Sequence, residues 1–251
     1  MQIQDFEVRV IYNKPMMVKI INMLKNKLLL RRRARWLLLN LAVIYLSINN
    51  KLPLKTKLLY QYFAAHDESL HIVSELDAAI LYNLVLKYKP KNCIDLGSGL
   101  GTSAAMVAHA MEMNGGGQVK SFEQLEWMAD EAKKIINEKK IPRVSIKQAE
   151  CVVEKYFGQD FACYEYEYDE QVDMVIVDGP FHLSNIKKPK SHYEKILPNG
   201  DLFRLLPCLN KGAIVFVDER LSSVDAYRKY LRKDFIFSQS RVGYTLMKYK
   251  G

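Results

Sequence analysis

The sequence has few cysteines, four in 251 residues. Cys93, Cys151, Cys163 and Cys208 lie far apart, without a Cys-x-x-Cys pair and without a histidine at zinc-ligand spacing. This scarcity argues against a disulfide framework and against a structural zinc site. It favours reduced thiols, and we therefore expect a cytoplasmic location.

The sequence also lacks a long apolar run. Within the Leu-, Ile- and Met-rich segment 16–50, the longest uncharged stretch is residues 36–50, which is shorter than the roughly 20 apolar residues that a helix needs to span a bilayer. The basic stretch before it is long for a signal peptide, and no small-x-small cleavage site follows. A transmembrane helix and secretion are therefore both disfavoured.

Excess positive charge is missing from most of the chain, although the net charge is +9. Residues 1–57 hold twelve of the 37 Lys and Arg and two of the 28 acids, which leaves 25 basic and 26 acidic residues in the remainder. The remainder is thus about neutral, and specific nucleic-acid binding by it is not expected. Any partner of the basic charge would meet the N-terminal extension.

This extension, residues 1–70, is predicted to be basic, apolar and helical. Two interpretations stay open. It is either a helical element that packs on the rest of the chain or forms a homo-oligomer, or a segment, residues 16–50, that lies on an anionic membrane. The membrane alternative rests on the cluster of four arginines at 31–35 beside Trp36.

Strands and helices alternate from about residue 71. Apolar residues at helical spacing predict a helix over 72–88, and further helices are expected over 126–139 and 200–209. Thr102 or Ser103 is expected to cap the helix between the first two strands. The predicted strands are 92–96, 118–122, 143–147, 174–177 and 213–217. Apolar strands that alternate with helices indicate a parallel sheet that is covered on both faces.

The chain ends differently, with apolar segments at 235–237 and 244–247 that only a few residues separate. So short a link requires an antiparallel pair. Residues 164–170, in which tyrosines alternate with acids, are interpreted as an exposed acidic loop.

A glycine turn follows the first predicted strand, at residues 93–103. Gly97, Gly99 and Gly101 remove each Cβ that would keep a ligand from the main chain, and they permit positive φ. Asp95 precedes the turn, where a carboxylate would repel a phosphate and attract a cation. The spacing also differs from the Gly-x-Gly-x-x-Gly of dinucleotide enzymes.

The turn resembles the first motif of class I S-adenosylmethionine-dependent methyltransferases. The resemblance extends over about residues 72–249 and implies an α/β, Rossmann-like, doubly wound and mostly parallel seven-stranded sheet with a C-terminal antiparallel hairpin. It divides the chain into the helical extension 1–70 and a methyltransferase domain 71–251. It also implies S-adenosylmethionine as cofactor, held at Asp95, Gly97, Ser98, Gly99, Gly101 and Thr102.

Polar residues follow the next two strands, at the sheet edge where ligands of α/β folds bind. Glu123 comes 26 positions after Gly97, a separation that suits a carboxylate binding the ribose hydroxyls. After the third strand, Gln148 or Glu150 is a candidate for the adenine contact. A helix-capping role for either residue remains open.

The later strands end in Asp178 and in the pair Asp218 and Glu219. In catechol-type members of the family, residues at these positions hold a divalent metal. Three acids here would suit Mg²⁺ or another hard cation, and binding of a substrate amine or of Arg220 is the alternative. His182 is a candidate general base and Asp178 a candidate catalytic residue.

The resemblance implies methyl transfer to an oxygen of a small molecule or a sugar. The Pro-Pro motif of nucleobase amino-methyltransferases is missing after Asp178, which disfavours that substrate class. Two alternatives remain. One is an oxidoreductase that uses a nucleotide cofactor at the same turn, and the other is a catalytically silent scaffold that binds membrane or RNA through the basic extension.

Overall fold

The computed structural model describes residues 50–66, 72–182, 196–218, 220–239 and 244–251. Its main sheet has seven strands in the order β3-β2-β1-β6-β7-β9-β8. The strands are β1 (Asn92–Leu96), β2 (Gln118–Glu123), β3 (Val144–Gln148), β6 (Val172–Val177), β7 (Leu209–Asp218), β8 (Phe235–Gln239) and β9 (Tyr244–Tyr249). This sheet confirms the predicted fold class.

The first five strands across the sheet are parallel. Cys93 of β1 lies beside Val119 of β2 on one side and beside Met174 of β6 on the other. The central strands are apolar along nearly their whole length because both faces of the sheet are covered. All five carboxyl ends therefore meet at one edge, and the strand order reverses between β1 and β6.

The C-terminal hairpin was predicted and is confirmed. β9 pairs antiparallel with β7 and with β8. It lies between them, so β8 becomes the edge strand and runs parallel to β7.

Six α-helices and one 3₁₀ turn lie in the part of the chain that the structure describes. They are α1 (Leu54–His66), α2 (Glu75–Tyr88), α3 (Thr102–Met113), α4 (Glu126–Glu138), α5 (Asp201–Leu205), the 3₁₀ turn Leu206–Cys208 and α6 (Leu221–Tyr230). The Ser74 side chain accepts from the Asp77 N–H and so caps α2. The alanine-rich helix α3 is buried along most of its length, since its small side chains allow close packing.

Helix α1 belongs to the compact unit that extends from Ser47 to Gly251. Thr56 is fully buried, and its hydroxyl lies 2.8 Å from Nδ1 of His109 in α3. Residues 1–49 and 67–70 of the predicted extension, and thus all of the segment 16–50 except Asn50, lie outside the described residues. The division at 70 and 71, membrane contact and oligomerisation therefore stay predictions. No helix in the described ranges is long and apolar enough to cross a membrane.

A second sheet was missed from the sequence. It is the antiparallel hairpin of β4 (Cys151–Tyr156) and β5 (Gln159–Tyr164). The interpretation of residues 164–170 as an exposed loop was correct for the acids and wrong for the tyrosines. Tyr164 is buried, and Tyr166 and Tyr168 pack around the Phe122 ring.

Two further predictions are corrected. The helix expected over 200–209 is a five-residue helix followed by a 3₁₀ turn, and β7 already begins at Leu209. The predicted cap of α3 is also wrong. Gly101 is the N-cap residue, with φ of +88°, while Thr102 and Ser103 lie inside the first helical turn.

Candidate functional site

The glycine turn lies at the carboxyl end of β1 and touches the end of β6. Gly97, Gly99 and Gly101 have φ of +104°, +51° and +88°. A Cβ on Gly97 would lie 2.5 Å from the amide nitrogen of Gly179 and 2.7 Å from the carbonyl carbon of Asp178. The main chains of the glycine turn and of the loop after β6 are therefore in direct contact, and only glycine fits at position 97.

Replacing Gly97 with alanine is expected to destabilise the fold by more than about 2 kcal/mol, because backbone strain adds to a clash with a main chain that cannot move. Gly158→Ala is the matched control, since Gly158 has φ of +76° and no atom within 4 Å of its added Cβ. Urea unfolding gives the free energy of unfolding of both variants. The loss in Gly158→Ala measures the backbone strain alone, and any larger loss in Gly97→Ala measures the clash. Equal losses of stability would show that the contact with Gly179 does not matter.

Asp95 lies beneath the turn and is fully buried. Its Oδ2 accepts from the hydroxyls of Ser103, at 2.8 Å, and Ser121, at 2.6 Å, while its Oδ1 has no hydrogen-bond partner. Burial, with a smaller contribution from the Glu123 carboxylate, raises the pKa of Asp95 to about 6, although the hydrogen bonds from the two serines act in the opposite direction. Asp95 thus joins β1, β2 and α3 from inside, and its predicted contact with a cofactor stays a prediction.

Glu123 ends β2 and turns back to the glycine turn. Its Oε2 accepts from the Gly99 N–H at 3.0 Å and its Oε1 from the Leu125 N–H at 3.0 Å. The side chain is only 6% exposed. The structure thus brings this carboxylate and the glycine turn together, while the predicted contact of Glu123 with ribose hydroxyls stays a prediction.

The start of α3 completes the turn. The Gly101 N–H donates to the Ser98 carbonyl at 2.7 Å, and Ser98 is nearly buried. The Thr102 hydroxyl is buried and has no hydrogen-bond partner. An orphaned hydroxyl at a helix start is a group that a bound ligand can satisfy.

The predicted adenine contacts lie at the end of β3. Gln148 and Glu150 are both exposed. Gln148 Nε2 lies 3.5 Å from the carbonyl oxygen of Gln124, and the Glu150 carbonyl accepts from the Glu165 N–H at 2.8 Å. Gln148 lies beside Glu123 in the sheet, and Glu150 follows two positions later, so the structure does not choose between them.

Asp178 follows β6 directly and is exposed, while His182 is half-buried. The loop between them is fixed on the sheet, because the N–H groups of Asp178 and Gly179 both donate to the Leu96 carbonyl, at 2.8 and 2.5 Å. Both predicted catalytic residues thus lie in the chain that follows the carboxyl end of β6. Their catalytic roles stay predictions.

The metal site stays a prediction as well. Asp218 ends β7, the neighbour of β6, at the same edge as Asp178. Glu219 lies outside the described residues, so the predicted trio is not seen as a whole. Within the ranges that the structure describes, no three histidine, cysteine or carboxylate residues form a group that could hold an ion.

Sequence reasoning missed a buried polar network behind the loop after β6. Asn199 Nδ2 donates to the Gly179 carbonyl at 2.8 Å and to Asp201 Oδ2 at 2.9 Å, and Asn199 Oδ1 accepts from the Tyr227 hydroxyl at 2.7 Å. Asn199 and Asp201 are fully buried. A buried asparagine joined to several elements rigidifies a site.

Asp201 lies at the centre of this network. It accepts from the Tyr164 N–H and from the Tyr168 hydroxyl, and Arg204 lies 3.7 Å away. Burial raises the pKa of Asp201 to about 7, although these donors and Arg204 act in the opposite direction. The alternation of tyrosines and acids at 164–169, which begins at the last residue of β5, is a sequence signal that could have indicated this network.

The chain matches no protein-family model and no curated protein. Its structure is similar to that of the SAH-bound methyltransferase PaMTH1 of Podospora anserina, with a TM-score of 0.61 and 11% identity over 90% of this chain and 100% of that one. It is also similar to a methyltransferase from Geobacter sulfurreducens, with a TM-score of 0.56 and 18% identity over 84% of this chain and 98% of that one.

A third similar structure is the O-methyltransferase TomG from Streptomyces achromogenes, which is involved in tomaymycin synthesis and was solved with SAM. The TM-score is 0.53 and the identity 16%, over 88% of this chain and 100% of that one. At identities this low the likeness shows the fold alone. The chain thus has the Rossmann-like fold of these methyltransferases, as the glycine turn and the terminal hairpin predicted.

Proposed function

We propose that the chain is an S-adenosylmethionine-dependent methyltransferase that acts on an oxygen of a small molecule or a sugar. One observation supports this most strongly, namely the approach of Glu123 to Gly99 at the edge where the strand order reverses. A carboxylate beside a bare main chain suits a nucleoside with free ribose hydroxyls. The three similar structures are all methyltransferases, which agrees with this proposal.

The donor groups of the turn fit this cofactor better than a dinucleotide. No Lys or Arg occurs between Cys93 and Ser103, where a pyrophosphate would need a positive partner. The nearby charges are the carboxylates of Asp95 and Glu123, which favour a cation such as a sulfonium or an amine. The orphaned Thr102 hydroxyl adds a hydrogen-bonding group at the start of α3.

Bound S-adenosylmethionine would supply an electrophilic methyl group for transfer to an acceptor oxygen, with S-adenosylhomocysteine as the product that leaves. The protein contributes mainly by holding the two reactants in the geometry of this transfer. Asp178 and His182 follow the carboxyl end of β6, and we assign His182 the role of the base that takes the hydroxyl proton. A divalent ion held by Asp178, Asp218 and Glu219 is a separate proposal, tested by adding Mg²⁺ to the activity assay.

Binding of S-adenosylhomocysteine (SAH) tests the cofactor. Isothermal titration of the full chain is expected to show one site per chain, with no binding of NADH under the same conditions. SAH lacks the transferred methyl group, so its binding is measured without knowledge of the acceptor. The absence of detectable binding at millimolar SAH would overturn the proposed function, and NADH binding would favour the oxidoreductase alternative.

A further inference from the structure

The loop after β6 is held by side chains from three other segments. Asn199 donates to it from the segment before α5, Arg220 from the segment after β7, and Gln124 from the residue after β2. These side chains donate to four consecutive main-chain carbonyls, those of Asp178, Gly179, Pro180 and Phe181. Within residues 178–181, every main-chain carbonyl therefore has a side-chain donor from outside the loop.

Arg220 accounts for two of these bonds. Its Nη1 donates to the Asp178 carbonyl at 2.5 Å, and its Nη2 donates to the Pro180 carbonyl. The rigid guanidinium fork thus fixes the spacing of these two carbonyls, which the single ammonium of lysine cannot do. The sequence analysis considered Arg220 as a partner of the acidic side chains at 178, 218 and 219. In the structure, its two Nη atoms donate to main-chain oxygens.

Gln124 holds the far end of the loop with both atoms of its amide. Its Oε1 accepts from the Phe181 N–H at 2.7 Å, and its Nε2 donates to the Phe181 carbonyl at 3.2 Å. Gln124 directly follows Glu123, which is bonded to the glycine turn. The amide therefore connects the proposed cofactor side of the edge to the loop that carries Asp178 and His182.

We propose that Gln124, Asn199 and Arg220 are positioning residues that hold loop 178–181 as a rigid wall of the cofactor site. The inference rests on the proposed function, because the ligand at this wall is taken to be S-adenosylmethionine. A preformed wall lowers the entropy lost on binding, since the loop is already ordered. Gly97 packs against the same wall, so loosening the loop also loosens the turn.

Gln124→Ala tests this inference, since Gln124 is only half-buried and its loss should leave the fold intact. We expect SAH to dissociate about fivefold to tenfold faster in stopped-flow measurements, which corresponds to the loss of one to two ordinary hydrogen bonds. Gln124→Glu keeps the acceptor for the Phe181 N–H and is expected to be intermediate. Hydrogen exchange at Phe181 should be faster in the alanine variant.

Gln118→Ala is the matched control, an exposed glutamine at the opposite end of the same strand. It is expected to leave SAH dissociation unchanged. Arg220→Lys provides a second perturbation of the loop and should also speed SAH release. Faster exchange at Phe181 with unchanged SAH release would overturn the inference alone. Failure of the wild-type chain to bind SAH would overturn the proposed function and this inference together.

Discussion

Replacing Glu123 with glutamine is expected to weaken SAH binding by about 30-fold to 1000-fold, which is about 2 to 4 kcal/mol. Two effects contribute. The carboxylate would no longer accept from the ribose hydroxyls as an anion, and charge-assisted hydrogen bonds are the stronger ones. In addition, Glu123 now accepts hydrogen bonds from the N–H groups of Gly99 and Leu125. The new NH₂ group of glutamine would face one of these two donors, and that hydrogen bond would be lost.

Glu126→Gln is the control for the loss of one negative charge, because Glu126 is exposed and lies only three positions away. Thermal unfolding of both variants shows whether the fold persists, and titration with SAH gives the affinities. A folded Glu123→Gln variant that binds SAH as tightly as the wild type would show that Glu123 serves only to hold the turn.

Replacing Asp95 with asparagine is expected to stabilise the protein at about pH 8 and to weaken binding of S-adenosylmethionine. Burial raises the pKa of Asp95 from 3.8 to about 6. The unfolded chain therefore releases this proton at lower pH than the folded chain, and the wild type loses stability as pH rises through that window. The isosteric amide cannot ionise and is free of this loss.

Urea unfolding at several pH values measures the effect. The stability of Asp95→Asn relative to wild type is expected to rise by about 1 to 2 kcal/mol between about pH 5 and about pH 8. Asp130→Asn, at an exposed acid, is the control and should show little pH-dependent difference. A constant difference for Asp95→Asn would mean that the folded and unfolded chains release this proton at the same pH, so that the pKa of Asp95 is not raised by folding.

The same variant tests the charge argument for the cofactor. S-adenosylmethionine carries a positive sulfur and SAH does not. Loss of the nearby carboxylate should therefore weaken the binding of S-adenosylmethionine more than the binding of SAH. Equal effects on the two ligands would assign Asp95 to packing alone, through Ser103 and Ser121. The buried acid would then hold β1 and β2 together without acting on the ligand.

The main sheet and the terminal hairpin could be predicted because their signals are local. Apolar strands, the glycine turn and the short link before Tyr244 each lie within a dozen residues of sequence. The approach of Glu123 to Gly99 was also within reach, since parallel strands that end in ligand-binding residues share one edge.

The residues behind the loop could not be predicted in the same way. Asn199 and Gln124 carry no local pattern, and their partners Gly179 and Phe181 are 20 and 57 positions away. Their roles depend on the three-dimensional packing of loops whose sequence spacing is arbitrary. The hairpin of β4 and β5 was also missed. The alternating tyrosines and acids begin at Tyr164, the last residue of β5, and were interpreted only as a biased composition.

The contact between Gly97 and Gly179 has a consequence for how such a protein can diversify. The peptide groups of two loops abut there without a side chain in between. Variants of the chain can thus acquire new acceptors through changes beyond Phe181 or around Asp218, while these two positions are fixed as a pair. Directed evolution for a new acceptor should therefore accumulate changes at the outer loops and return glycine at both positions.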